Sequence, residues 1–196
     1  MKKRKDLIKM ITLNGMVATV YAVLTLMIQP LAYRELQLRL SEIVVLLAFY
    51  NKKLIPGLAI GCFIANIPSP LGIIDWIVGP LSTLVVCYFM NRVTNIYLSA
   101  LIGSLATGLI IGGELCLVYH IPYLINALYV FIGEAIVLYL GTVVFKRLEK
   151  NVKFIEYIKS FQVNYILGSH HFLFLFCDYF YHVCMYCVIM HCGCPL

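Results

Sequence analysis

The chain predicts an all-α membrane protein, a bundle of six helical segments followed by an atypical tail, and three observations carry that expectation. Hydrophobic residues make up 62 % of the sequence and charged residues 12 %, whereas soluble domains carry about 25 % charge. Residues 96–119 and 123–145 are apolar runs longer than the ~20 residues that cross ~30 Å of lipid core as a helix. The formal charge of +6 is concentrated in residues 2–9 and 146–159, beside apolar stretches. That is the pattern of anchors against anionic lipid, not of a nucleic-acid groove.

Charges, prolines and glycines punctuate the segments in order. The first covers residues 11–31 and closes at Pro30 and the polar stretch 33–39. The second, 40–50, is too short to cross alone. Lys52 and Lys53 precede the third, 54–67, which is also short and is ended by Pro68 and Pro70. Residues 73–90 form the fourth, and 96–119 and 123–145 the last two, joined at Tyr119-His120-Ile121-Pro122. With a cytoplasmic N-terminus the inner loops hold Lys52, Lys53 and Arg92, and the sixth helix ends inside on Lys146 and Arg147. This is the bias of the positive-inside rule. The exception is the outer loop carrying Arg34, Glu35, Arg39 and Glu42. Short, Gly/Pro-interrupted segments mark binding sites in transporters. A substrate cavity is therefore expected between the two short segments and the last two helices, opening outward.

Glu114 and Glu134 stand inside span-length runs. A carboxylate in hydrocarbon costs roughly 2.5 kcal/mol or more, so such a group tends to face a cavity and touch something specific. Glu114 and Asn126 flank the outer hairpin, and a carboxylate accepts two N–H bonds side by side, which suits a guanidine-like edge. A clamp between helices is the competing role for Glu114, and helix packing beside Gly133 for Glu134. Gln37, Arg39, Ser41 and Glu42 read either as a helix start with an Arg39–Glu42 pair or as the floor of a ligand site. Asn66, Asp75 and Trp76 surround the Pro68–Pro70 turn. Asp75 suits a helix N-terminus and Trp76 a membrane interface; together they also suit a flat heterocycle, stacked on the indole and bonded at its edge. Gly15, Ala18 and Ala22 form a small-residue stripe for close helix packing, within the bundle or against a partner subunit.

Several chemistries find no support. The chain has no Gly-x-x-x-x-Gly-Lys-Ser/Thr loop for ATP, no His-Glu-x-x-His and no Gly-x-Ser-x-Gly. It shows no inverted repeat of a self-sufficient transporter, and no cofactor or metal is expected. From about residue 161 Lys and Arg vanish, and Cys177, Cys184, Cys187, Cys192 and Cys194 gather near four histidines. No matching first half completes a zinc site. Residues 1–160 are thus expected to form the transmembrane binding domain and 161–196 an atypical apolar Cys/His-rich tail, either a dispensable extension or the product of a shifted reading frame, with a seventh span at 172–190 as the alternative.

At these residues the chain resembles the queuosine-precursor transporter family, QueT. The stretches that carry the resemblance are Leu36-Gln37-Leu38-Arg39-Leu40-Ser41-Glu42, Gly61 to Asn66, Ser69 to Asp75, Gly112-Gly113-Glu114, Asn126-Ala127 and Gly133-Glu134-Ala135, within about residues 5–155. The resemblance implies the substrate-binding membrane subunit of an energy-coupling-factor transporter, a six-helix protein capturing a pre-queuosine deazaguanine from outside. It implies docking through the first helix onto a transmembrane coupling protein driven by two cytoplasmic ATPases, with toppling in the membrane to release substrate. The same architecture with another vitamin or nucleobase as cargo is the nearest alternative. An integral-membrane enzyme or assembly factor is the alternative of another class.

Overall fold

The computed structural model describes residues 2–28 and 38–150, and within them the expected all-helical bundle forms. Helix α1 is Lys2–Met27. The short second segment breaks into α2, Glu42–Val45, and α3, Leu47–Tyr50. A 3-10 turn at Lys52–Leu54 leads into α4, Ile55–Asn66. Helices α5, Ile73–Met90, α6, Ile96–Tyr119, and α7, Tyr123–Leu148, complete the bundle. No strand occurs among the described residues. Gln37 and the tail at 161–196 lie outside them.

Local chemistry sets the boundaries. Asn51 is extended and its side chain accepts from Lys53 N at 3.0 Å, opening the 3-10 turn. Asn95 does the same for α6, accepting from Tyr97 N at 2.9 Å. Both use a side-chain oxygen to satisfy an orphan donor at a helix start. Gly72, at φ +64°, turns the chain into α5 through a conformation that side chains with a Cβ rarely adopt. His120 ends α6 in the left-handed region, φ 57°.

Four helices, α1, α5, α6 and α7, are long and apolar enough to cross a membrane. Helices α2, α3 and α4 are not. The exterior is apolar all round, with Ile60, Phe63, Leu98, Leu109, Leu128 and Val143 all exposed. Lipid, unlike water, has no quarrel with such a surface.

Helix order follows from close contacts. Asn14 on α1 donates from Nδ2 to Lys53 O at 3.0 Å and accepts at Oδ1 from Gly57 N at 2.7 Å. One turn further, Gly61 meets Ala18, so α4 runs alongside α1 in the same direction. Asn91 donates to Ala48 O at 2.7 Å, and Tyr50 to Glu149 Oε1 at 2.9 Å. These contacts gather Lys52, Lys53, Arg92, Lys146 and Arg147 at one end, the basic end. The turns after α4 and α6 lie at the other, the hairpin end. Near the basic end Leu54, Leu58, Met90, Ile96 and Phe145 belong to the main apolar core.

The tightest pairing is between α6 and α7. A Cβ built at Gly112 would sit 2.5 Å from Ala127 Cα, and one at Gly108 2.8 Å from Phe131 Cβ. This small-xxx-small approach gives dispersion contact where no hydrophobic drive between helices exists. Gly112→Val should therefore destabilise the bundle by about 2–3 kcal/mol. In a thermal scan of the protein in nanodiscs, the midpoint should fall by several degrees. Gly15→Val, where a Cβ meets nothing within 4 Å, should leave it within about 2 °C.

Candidate ligand site in the hairpin half of the bundle

Polar side chains from five helices and the chain leading into α2 turn inward. Arg39, Glu42, Asn66, Asp75, Glu114, Asn126 and Glu134 are all buried, none more than 7 % exposed. With Ser41, eight of the ten residues singled out from sequence for a ligand site thus lie inside a bundle whose outside is apolar. Gln37 falls outside the described residues, and Trp76 is only half-buried.

Arg39 sits at the centre. Its guanidinium is 3.6 Å from Asp75 Oδ2. Asn66 fixes the other side of that carboxylate, donating from Nδ2 to Asp75 Oδ1 and to Asp75 O, both at 3.1 Å. Gly79 makes room for this arrangement, since a Cβ there would collide with Asn66 Nδ2. Glu42 is held from another direction by Tyr21, whose hydroxyl donates to Oε1 at 2.6 Å. Ser41 meets Thr25 Oγ1 at 2.7 Å, tying the start of α2 to α1.

Several polar atoms in this interior have no hydrogen-bond partner among the described residues. They are Asn66 Oδ1, Asp75 Oδ2, both oxygens of Glu114, Asn126 Nδ2 and Glu134 Oε2. Buried polar groups are nearly always satisfied, and leaving one unsatisfied costs about 1–3 kcal/mol. Six such atoms lie on five residues of α4, α5, α6 and α7, which makes these residues the candidates for bonding a polar guest.

Glu114 and Asn126 stand on the two helices that meet at Gly112 and Ala127, close to the hairpin end. Asp75 and Arg39 are the charged groups within electrostatic range of Glu114; Glu42 and Arg39 are those of Glu134. A small cavity is lined by Arg39, Glu42 and Glu134 together with Ser82, Thr83 and Thr107. Its volume is about 10 Å³, room for roughly one water and far below the ~300 Å³ of a usual small-molecule pocket.

Four expectations need correction. The cavity between the short segments and the last two helices exists, but among the described residues it has room for one water rather than for a guest. Arg39 pairs with Asp75, not with Glu42, because Tyr21 already occupies Glu42 and the α4–α5 turn brings Asp75 alongside. Trp76 does not line the cavity; its Nε1 donates to Ile67 O at 3.3 Å, which pins the indole to the turn after α4. Ala18 and Ala22 are buried, with Ala18 against Gly61 of α4, so they serve packing within the chain. Gly15 alone of that stripe faces outward.

Sequence reasoning missed Tyr21, Ser82, Thr83 and Cys62. Tyr21 looks like another apolar residue of α1 until the fold brings it to Glu42. Ser82 and Thr83 donate to Gly79 O at 3.1 Å each, the usual way a hydroxyl is hidden in a membrane helix. Their value to the cavity shows only once α5 is placed.

An apolar exterior, four span-length helices and a polar interior define a multi-pass, all-α membrane protein. Residues 11–150 match the family described as QueT transporter. A protein of Lactococcus lactis subsp. cremoris (strain MG1363) named queuosine precursor transporter QueT is 32 % identical over 155 residues, 70 % of this chain and 90 % of that relative. The chain belongs to the QueT transporter family. The family match ends at residue 150, before the Cys/His-rich tail. No solved structure gives a significant match.

Proposed function

We propose that this chain is the substrate-binding membrane subunit of an energy-coupling-factor transporter and captures a pre-queuosine deazaguanine. The observation that carries the reading is the set of partnerless polar atoms on buried side chains, led by Glu114 with both oxygens free of hydrogen bonds. A deazaguanine presents a ring N–H and an exocyclic amine side by side, which a carboxylate accepts as a pair. Asn126 Nδ2 then donates to the ring carbonyl, and the Asn66–Asp75–Arg39 chain closes the other side. The name of the Lactococcus relative supports the cargo.

The N-terminus is cytoplasmic in this reading, which the gathering of Lys52, Lys53, Arg92, Lys146 and Arg147 at the basic end supports. The hairpin end, with its ligand groups, then faces outside. A transmembrane coupling protein and two cytoplasmic ATPases supply the energy, because no phosphate-binding loop occurs in the sequence. Docking uses the outward face of α1 around Gly15, as Ala18 and Ala22 are engaged within the chain.

Uptake tests the reading. A host unable to make queuosine should gain queuosine-modified tRNA from external base only when this chain and a coupling module are expressed together. Modification with this chain alone would remove the coupled mechanism; none with both present would remove the cargo.

A further inference from the structure

The basic end of the bundle carries a separate feature, remote from the buried carboxylates. A cleft of about 760 Å³ opens there between α3, the start of α6 and the end of α7, a volume within the usual range for a small-molecule site. Phe49 and Tyr50 form one wall, and Ile96 and Tyr97 another. Tyr50 stacks on Phe145 with ring centroids 5.5 Å apart and meets Phe49 edge-on at 5.1 Å, so packing holds this wall in place. Thr94, Asn95, Lys146 and Glu149 supply the polar rim.

The rim is richer in donors than in acceptors. Glu149 already accepts on both oxygens, from the Tyr50 hydroxyl at 2.9 Å and from Lys146 Nζ at 3.0 Å. Asn95 Oδ1 accepts from Tyr97 N at 2.9 Å, so the amide donors of that side chain are what it offers a guest. Lys146 is 46 % exposed; its ammonium has three N–H donors, and Glu149 takes one of them. Arg147, in the same last turn of α7, tips the local charge positive. A phosphodiester is negative and accepts only, which suits such a rim.

Depth decides what carries the phosphodiester. Helix α7 has 26 residues and is about 39 Å long, against ~30 Å of hydrocarbon core. Lys146 in its last turn and Asn95 at the start of α6 therefore reach the headgroup layer. Toward the core, Tyr97 and Tyr139 stand side by side on α6 and α7, with rings 6.3 Å apart, and are 42 % and 41 % exposed. Leu98, Leu140 and Val143 are exposed on the same two helices. We propose that this cleft holds one anionic glycerophospholipid, its phosphodiester on Lys146 and Asn95 and its acyl chains along α6 and α7. Soluble phosphate would satisfy the rim but leave the aromatic walls unused.

The full chain, purified in detergent and offered equal amounts of phosphatidylglycerol and phosphatidylcholine with matched acyl chains, gives the test by native mass spectrometry. One phosphatidylglycerol per chain should be retained, preferred roughly 5-fold, the factor that one lysine near an anionic lipid supplies. Lys146→Gln, at an exposed pair that contributes little to folding, should reduce the preference to within about twofold. Lys52→Gln, at the same end but not lining the cleft, should leave it unchanged. Equal retention of the two lipids overturns the proposal, as does a preference undiminished in K146Q. An equal loss in K52Q also overturns it, in favour of general attraction to a basic surface. Displacement of the retained lipid by inorganic phosphate overturns it in favour of a soluble anion. Should K146Q fail to fold, the wild-type ratio still decides.

Discussion

Glu114→Gln should weaken binding of the precursor base about 10- to 100-fold and abolish uptake at low external concentration. Hydrogen bonds to a charged group contribute roughly 1.5–3 kcal/mol, and 1.4 kcal/mol is a factor of ten. Glutamine keeps one acceptor but replaces the other with an N–H that opposes the ligand's own. Stability should move the other way. Neither Glu114 oxygen has a hydrogen-bond partner among the described residues, so removing its capacity for charge relieves desolvation without breaking a bond. The thermal midpoint of the ligand-free variant in nanodiscs should therefore hold or rise. That pairing of lost affinity with kept stability separates a ligand-binding residue from an interhelical clamp. A falling midpoint with unchanged affinity would mean that Glu114 is a clamp.

The second large effect is expected at Arg39. Replacing it with methionine removes the cation beside Asp75 and leaves a carboxylate stranded in the bundle. Breaking a buried pair from one side costs about 3–5 kcal/mol. Here the loss falls on folding, because Asp75 also anchors Asn66 and through it the α4–α5 turn. Arg39→Met should lower the thermal midpoint by roughly 10 °C or more and reduce the yield of monodisperse protein. Combining it with Asp75→Asn should recover most of that loss, because the double change removes both charges. Failure of the second change to restore any stability would show that Arg39 is held by something other than Asp75.

The segments were legible because membrane helices announce themselves by length and apolarity. Residues 73–90 and 96–119 coincide with α5 and α6. The short second segment was legible as too short, though not its division at Leu46 into α2 and α3. The buried acids stood out for the same reason that they are costly: a Glu in a run of Ile, Leu and Gly has no ordinary use there. Pairing was another matter. Arg39 and Glu42 are three apart, which on an exposed helix makes a natural pair. Nothing local discloses that Tyr21 reaches Glu42 or that the Pro68–Pro70 turn returns Asp75 to Arg39. Those contacts come from the order in which α1, α4 and α5 pack. Trp76 shows the opposite error: an indole beside an acid suggests a stacking platform, yet the turn after α4 offers its carbonyl first. The stripe of Ala18 and Ala22 looked equally suited to a partner or to the bundle, and Gly61 on α4 decided for the bundle.

The closed interior also constrains how capture works. The cavity beside Arg39, Glu42 and Glu134, at about 10 Å³, is too small for a bicyclic base. In the proposed site, buried acceptors such as those of Glu114 would meet a ligand's N–H groups away from water, where such bonds are strongest.

The most direct measurement is an equilibrium titration of the purified chain in nanodiscs with labelled aminomethyl deazaguanine, without ATP or any coupling subunit. Saturable binding at one site per chain, lost in Glu114→Gln, is the expected result. A folded chain that shows no saturable binding, or that binds equally well with Glu114 replaced, would contradict the assignment of the buried polar interior as the ligand site.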